Sequence, residues 1–277
     1  MDDTRQALHA VGAHAPYGAY APDALTRLVV ALARHTPLGR GGARMKIRDF
    51  LRARCDGPID GELFGVPVRC HFDENRCEWK AFLKPSMFDP QERAIVARYI
   101  DKADAVFLDI GANIGVHTLA ASKAAWPDAT ILAFEPHPVT YGRLAFNVAQ
   151  CGHPGVHAVQ VALSDRDGFA VLGGEDLSLR SLALGGEGPQ VRIRPLIDVL
   201  GEHAIFHIDA MKIDVEGHED SVLKHFLDAA PDSLVPRLVI IEHLGRHVWS
   251  FDCIDALISR GMRIAKTAGN NTFLVRD

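Results

Sequence analysis

From about residue 105 onward, short unbroken apolar runs alternate with stretches in which apolar residues return every three or four positions. The runs lie at 106–110, 129–134, 156–163, 210–215 and 238–241. They are too short for helices and lack the alternation of a half-exposed strand, so they predict buried parallel strands. The intervening segments predict helices at 116–124, 138–150, 196–201, 217–229 and 251–259. Pro138 stands at the first turn of its helix, where a missing N–H does no harm. Strand and helix in strict alternation predict a doubly wound α/β sheet. The end of the chain breaks that rhythm. Apolar residues at 262–266, the turn Gly269-Asn270-Asn271, and 272–275 predict an antiparallel hairpin. Residues 166–193 are Gly-rich and predict a hairpin excursion outside the main sheet.

The first third is organised differently. Residues 1–22 predict a loose arm. Residues 23–35 predict a helix with Leu25, Leu28, Val29 and Leu32 on one face, and 43–54 a second amphipathic helix. Residues 61–82 suggest two or three short strands, and 88–100 a helix leading into the core. Two units are expected: an extension at 1–84, a candidate substrate cap, and a main domain at 85–277.

Composition narrows the function. With 48% apolar residues, 277 residues can bury one large core and an appendage. A net charge of −5 argues against a general nucleic-acid binder. The five cysteines are scattered without a CxxC pair, which suits reduced thiols in a cytoplasmic protein. No charged-then-apolar leader pattern opens the chain. Residues 34–54 are locally basic. Such a helix can dock on an anionic membrane surface, although a solvated face is the commoner meaning.

The chemistry concentrates at 106–115. Here a strand ends in Asp109 and meets a turn, Gly111-Ala112-Asn113-Ile114-Gly115, that opens a helix. Glycines suit a backbone that must approach a ligand closely, and this strand–turn–helix corner binds nucleotides in doubly wound folds. A carboxylate inside the turn disfavours a pyrophosphate and favours a cation. S-adenosylmethionine carries an ammonium and a sulfonium and no phosphate. Glu135, ending the next run, can accept hydrogen bonds from ribose hydroxyls. A nicotinamide oxidoreductase is the rival enzyme; Asp109 and the lack of a plausible Tyr-x-x-x-Lys pair weigh against it. A binding module that holds the cofactor without turnover is the third alternative.

Phe107 to Gly115, Phe134-Glu135-Pro136 and Lys212-Ile213-Asp214-Val215-Glu216-Gly217-His218-Glu219 resemble the three hallmark segments of FkbM-type methyltransferases. Similar stretches at 161–165 and 196–198 fall in matching places. The resemblance covers about residues 85–245. It implies a Rossmann-like class I methyltransferase fold, with a seven-stranded, mostly parallel sheet and a C-terminal antiparallel hairpin, to which the N-terminal α/β extension is added. It also implies S-adenosylmethionine as donor and a hydroxyl acceptor on a small molecule, sugar or glycan. The expected cofactor-binding residues are Asp109, Gly111, Ala112, Asn113, Gly115, Glu135, Pro136, Ser164, Asp165 and Asp214. Two departures stand out: Asn113 replaces the third glycine of the usual turn, and His218 occupies a place expected to be small.

Methyl transfer from a sulfonium is an in-line displacement, so catalysis is largely positional. A hydroxyl acceptor must also lose its proton. The expected catalytic residues are His243 as base, with Glu216 and Asp214 orienting groups in the crevice. If the fourth strand continues, Lys212, Asp214 and Glu216 share one face; a Lys212–Asp214 pair that merely shapes the loop is the alternative. Asp214, Glu242 and His243 could instead hold a divalent metal, which is not favoured because no tight ligand spacing appears. His117, one turn into the first helix of the main domain, is either near the cofactor carboxylate or a plain surface histidine.

Overall fold

The computed structural model describes residues 15–72, 75–173, 181–183 and 188–276. Most of the arm at 1–22 lies outside them, as do parts of the 166–193 excursion.

The extension begins with α1 (Ala24–His35), whose N-cap Asp23 accepts from the Thr26 N–H, and α2 (Gly41–Arg54). An antiparallel hairpin follows, β1 (Ile59–Leu63) and β2 (Val66–Cys70). The next element corrects the expectation of strands up to residue 82: Arg76–Leu83 is a helix, α3. Asn75 caps it by accepting from the Glu78 N–H. Trp79, Phe82 and Leu83 stand at helical spacing on its buried face. Helix α4 (Pro90–Ile100) leads into the main domain.

The main domain then runs β3 (Val106–Ile110), α5 (Val116–Ala124), β4 (Thr130–Phe134), α6 (Pro138–Gln150) and β5 (Val156–Val159). Short strands follow: β6 (Ala162–Ser164), β7 (Gly168–Gly173), β8 (Ser181–Ala183) and β9 (Gln190–Pro195). The chain continues with α7 (Leu196–Glu202), β10 (Ala210–Ile213), α8 (Glu219–Ala229), β11 (Leu238–Glu242), α9 (Cys253–Ser259), β12 (Arg263–Ala268) and β13 (Asn271–Val275). Seven strands make the central sheet, in the order β12-β13-β11-β10-β3-β4-β5. Only β13 runs against the rest. The expected third strand at 156–163 divides in two. β5 stays in the main sheet, whereas β6 pairs with β9 in a second, four-stranded sheet with β7 and β8.

Alternate residues of the central strands fill two cores. Val106, Leu108, Ile110, Met211, Ile213 and Val239 pack under α7, α8 and α9. Phe107, Ile131, Ala210, Leu238 and Ile240 pack with α4 and α5. Each fully buried Leu, Ile, Val or Phe contributes about 1.5–3 kcal/mol, so both faces hold the sheet. The extension is not an isolated appendage. Its own core, including Leu51, Val68, Trp79 and Phe82, merges with Ile114, Val116 and Leu119 around α5. Arg143 on α6 reaches Glu78 on α3 at 2.7 Å, both buried, and Asn147 accepts from the backbone N–H of Arg69. The strand order reverses between β3 and β10, and ligands of such sheets bind at that point, beyond the carboxyl ends of the strands.

Candidate functional site

At the carboxyl ends of β3, β4 and β10 lies a cavity of about 1070 Å³, including its open mouth. Its walls bring together Gly111, Ala112, Asn113, Glu135, Pro136, Asp214 and Glu216 from the expected set. Val161, Leu163 and Leu172 add an apolar side. Cys77, Phe88 and Asp89 come from the extension and its junction, and His117 from α5.

The turn after β3 is held laterally, because the N–H groups of Gly111 and Ala112 both donate to Phe134 O. Gly111 has φ 82°. A Cβ there would lie 1.9 Å from Asp214 O, so the backbone after β10, rather than a ligand, requires this glycine. Gly115 (φ 93°) caps α5 off the cavity wall, and a Cβ on it would meet the Leu144 side chain at 2.8 Å. Asn113 takes the place of a glycine at φ 53°, and asparagine tolerates this left-handed region better than most residues. Its Oδ1 accepts from the Ile114 N–H at 2.8 Å and from Asn75 Nδ2 at 2.6 Å. Six non-glycine residues among those described have positive φ, and three of them, Asp89, Asn113 and Glu216, line this cavity. Such conformations gather where a site constrains the chain.

Glu135 is buried at the tip of β4. Oε2 accepts from the Asn113 N–H at 3.1 Å and Oε1 from the His137 N–H at 2.9 Å. Burial outweighs these bonds and pushes its pKa up to about 7. His137 N-caps α6, its ring accepting from the Thr140 N–H. One carboxylate therefore ties the first turn to the second.

The floor is charged. Asp109 is 1% exposed and sits behind the turn rather than on the cavity wall. Its Oδ2 accepts from Thr118 Oγ1 at 2.6 Å, while buried Oδ1 has no hydrogen-bond partner among the described residues. Lys212 is its register partner across β3 and β10. Lys212 Nζ donates to Asp214 Oδ2 at 2.8 Å. Burial opposes the lysine's charge, but Asp214, Glu92 and Asp109 prevail and hold its pKa above the usual value. Lys212 in turn overcomes burial at Asp214 and keeps that carboxyl low. β10 ends at Ile213; strand alternation therefore does not extend to Asp214 and Glu216, although both reach the cavity.

A second group faces this floor. His117 Nε2 lies 3.3 Å from Asp89 Oδ2 and 3.8 Å from Glu92 Oε2. Asp89 precedes Pro90 at the start of α4. An acid before an N-terminal proline is a helix-start signal and gave no hint that its carboxylate would reach a histidine 28 residues later.

The remaining expected residues stand as follows. Ser164 is buried behind the wall, with Oγ 3.1 Å from His218 Nε2; His218 lines the cavity, its pKa lowered by burial. Asp165 is half exposed and pairs with Arg166 at 3.0 Å. His243 lies off the cavity wall, with Nδ1 3.0 Å from Thr272 Oγ1. Glu242 beside it is raised to about 8 by burial and by Asp214, Glu216 and Glu219. Two trios among the described residues place ligand atoms within 4.8 Å of one another: Asp89–Glu92–His117 and Asp214–Glu216–Glu242. His243 belongs to neither.

The sheet order, the reversed last strand and the acid-lined corner define a Rossmann-like class I methyltransferase fold. Residues 109–264 match the Methyltransferase FkbM domain, and the chain belongs to that family. Methyltransferase 1 of Beauveria bassiana is 31% identical over 161 residues, covering 50% of this chain and 64% of that protein. Methyltransferase sdnD of Sordaria araneosa is 35% identical over 152 residues, covering 42% and 58%. The hexuronic acid methyltransferase AglP of Haloferax volcanii is 28% identical over 150 residues, covering 50% and 57%. The chain thus spans about three-fifths of the length of these relatives. Among solved structures, M. jannaschii TYW2 in complex with AdoMet superposes with a TM-score of 0.41 at 14% identity, covering 79% of this chain and 84% of that one. No helix among the described residues is long and apolar enough to cross a membrane.

Proposed function

We propose that the protein is an S-adenosylmethionine-dependent O-methyltransferase acting on a hydroxyl of a sugar, glycan or secondary metabolite. The observation that carries this reading is the buried, partnerless Oδ1 of Asp109 beneath a cavity walled by further acids, with Lys212 the one buried lysine among them. That excess of negative charge suits a cationic donor and opposes a pyrophosphate. The donor supplies an electrophilic methyl when bound. Glu135, with lone pairs left after its two backbone bonds, would hold the ribose hydroxyls. Gly111, Ala112, Asn113 and Pro136 shape the wall beside it, and Ser164 and Asp165 stand at the end where the adenine is expected. Val161, Leu163 and Leu172 exclude water from the apolar side.

The acceptor enters from the side closed by Cys77, Phe88 and Asp89, which gives the extension the role of a cap. His117 takes the acceptor's proton at Nε2, beside Asp89 Oδ2 at 3.3 Å, since its Nδ1 is buried without a hydrogen-bond partner among the described residues; a placed base of this kind contributes about 10²–10⁴-fold. Its place on the cavity wall favours it over His243. Asp214, held ionised by Lys212, and Glu216 orient the reacting groups. The sugar reading draws on the relative named a hexuronic acid methyltransferase, and the secondary-metabolite reading on the motif resemblance alone.

Calorimetry with S-adenosylmethionine and its demethylated product, against NAD and NADP, tests the donor. NAD binding as tight as that of the methyl donor overturns the reading. Transfer of a labelled methyl to hydroxylated glycans and metabolites, with the product's ether linkage located by mass spectrometry, tests the acceptor. Methyl found only on nitrogen or carbon overturns the hydroxyl assignment.

A further inference from the structure

Helix α1 wears its larger apolar side chains outward. It buries Thr26, Val30 and Ala33 and leaves Leu25, Leu28 and Leu32 at 44%, 56% and 40% exposure. Leu38 in the following turn and Phe50 on α2 continue the exposed apolar surface. Leu32, Leu38 and Phe50 line a single shallow apolar groove between the helices, with the stem of Lys46 along it. The two helices therefore present one face.

The two helices that frame the groove also carry much of the chain's positive charge. Residues 24–54 hold eight Lys or Arg and one acid, Asp49, a net +7 in a chain whose total is −5. Arg34 donates to Phe82 O and Glu62 O, Arg44 and Arg48 lie over the Trp79 ring, and Arg54 pairs with Asp23; Arg27, Arg40, Lys46 and Arg52 are the remaining exposed charges. Apolar surface of this extent in water marks a contact site. A second copy of the same face would set like charges against each other. A nucleic acid would meet the charge and leave the leucines unexplained. An anionic lipid surface satisfies both, because leucines enter the boundary between headgroups and acyl chains while Lys and Arg meet the lipid charge.

We propose that the α1–α2 face docks the protein on an anionic lipid bilayer. The docking face connects to the cavity through a single helix. Arg44 and Arg48 of α2 lie over the Trp79 ring of α3, at 5.8 Å and 5.3 Å, and Cys77 of α3 lines the cavity. A docked molecule thus holds its cap side next to the lipid. This inference is independent of the acceptor assignment, since its test reads binding alone.

The test is flotation of the full chain with vesicles of phosphatidylcholine, with and without phosphatidylserine. Binding is expected to be at least about tenfold stronger on the anionic vesicles and to fall as salt rises. Leu28→Glu with Leu32→Glu, and separately Arg40→Glu with Lys46→Glu and Arg52→Glu, are expected to weaken it about tenfold or more. The altered side chains face water, so thermal melts within about 2 °C of wild type confirm that the fold is kept. No binding, equal binding to both vesicles, or binding by both variants at wild-type strength overturns the proposal. So does a dimer in sedimentation velocity that Leu28→Glu dissolves, which would assign the face to a second copy.

Discussion

Replacing Glu135 with alanine separates two roles that meet in one carboxylate. The side chain is buried and accepts the Asn113 and His137 N–H groups, so its removal leaves two backbone donors without their acceptor. A buried donor left unsatisfied costs about 1–3 kcal/mol. The group borders a cavity that water can enter, so about 1 kcal/mol for each donor is the expectation, or about 2 kcal/mol in all. For a domain of this size 1 kcal/mol moves Tm by about 2–4 °C, so Glu135→Ala should melt about 4–8 °C lower. Its two amide bonds make this strand-tip acid a contributor to the fold as well as to the site. Loss of charged hydrogen bonds to the donor's ribose should cost a further 1.5–3 kcal/mol or so of binding, a weakening of about 10- to 150-fold. Glu135→Gln retains one acceptor oxygen and turns an NH₂ toward the other amide, so it should fall between wild type and alanine in both measurements. Calorimetric melting and titration with the demethylated donor read the two quantities separately. An alanine variant with wild-type Tm and affinity within twofold would refute the assignment of both turns to this carboxylate.

Glu135 also sets a pH dependence. Its proton leaves near 4.5 in the unfolded chain and near 7 in the folded one, so between those values the folded state binds more protons and stability falls as pH rises. The fall should reach about 3 kcal/mol at most and be smaller in Glu135→Gln, as read by denaturant unfolding at pH 5 and pH 8. Lys212→Met strands the buried charges of Asp109 and Asp214 and should destabilise by about 3–5 kcal/mol. Adding Asp214→Asn should recover part of that loss, and a Lys212→Met variant as stable as wild type would refute the role of the lysine. His117→Ala should slow methyl transfer about 10²-fold or more while leaving donor affinity within about threefold. A larger rate loss in His243→Ala than in His117→Ala would return the base to His243, just past β11.

Much of this molecule is legible before any coordinates. The expected helices at 116–124 and 138–150 carry the observed bounds, because local apolar period reports which side of an element is buried. The acid–glycine turn and Glu135 are recognisable because a strand, a tight turn and a helix start are all local. The reversed last strand is announced by its own turn residues. Tertiary structure decided the rest. Residues 76–83 are helical because Asn75 caps them and their aromatic face completes the core around α5. The run at 156–163 divides because Ala162–Ser164 finds its partner in β9, some thirty residues on. The Lys212–Asp214 pair was one of two readings its spacing allowed, and the structure forms it; no local pattern shows that Asp109 is sealed behind its turn, or that Asp89 meets His117 while His243 turns to Thr272. The last three join groups nine to twenty-nine residues apart, and which of them form is set by where the helices and the last hairpin pack on the sheet. The sequence by itself therefore determined the fold family and the types of residue in the corner, and the packing of the helices chose which of those residues face the ligand.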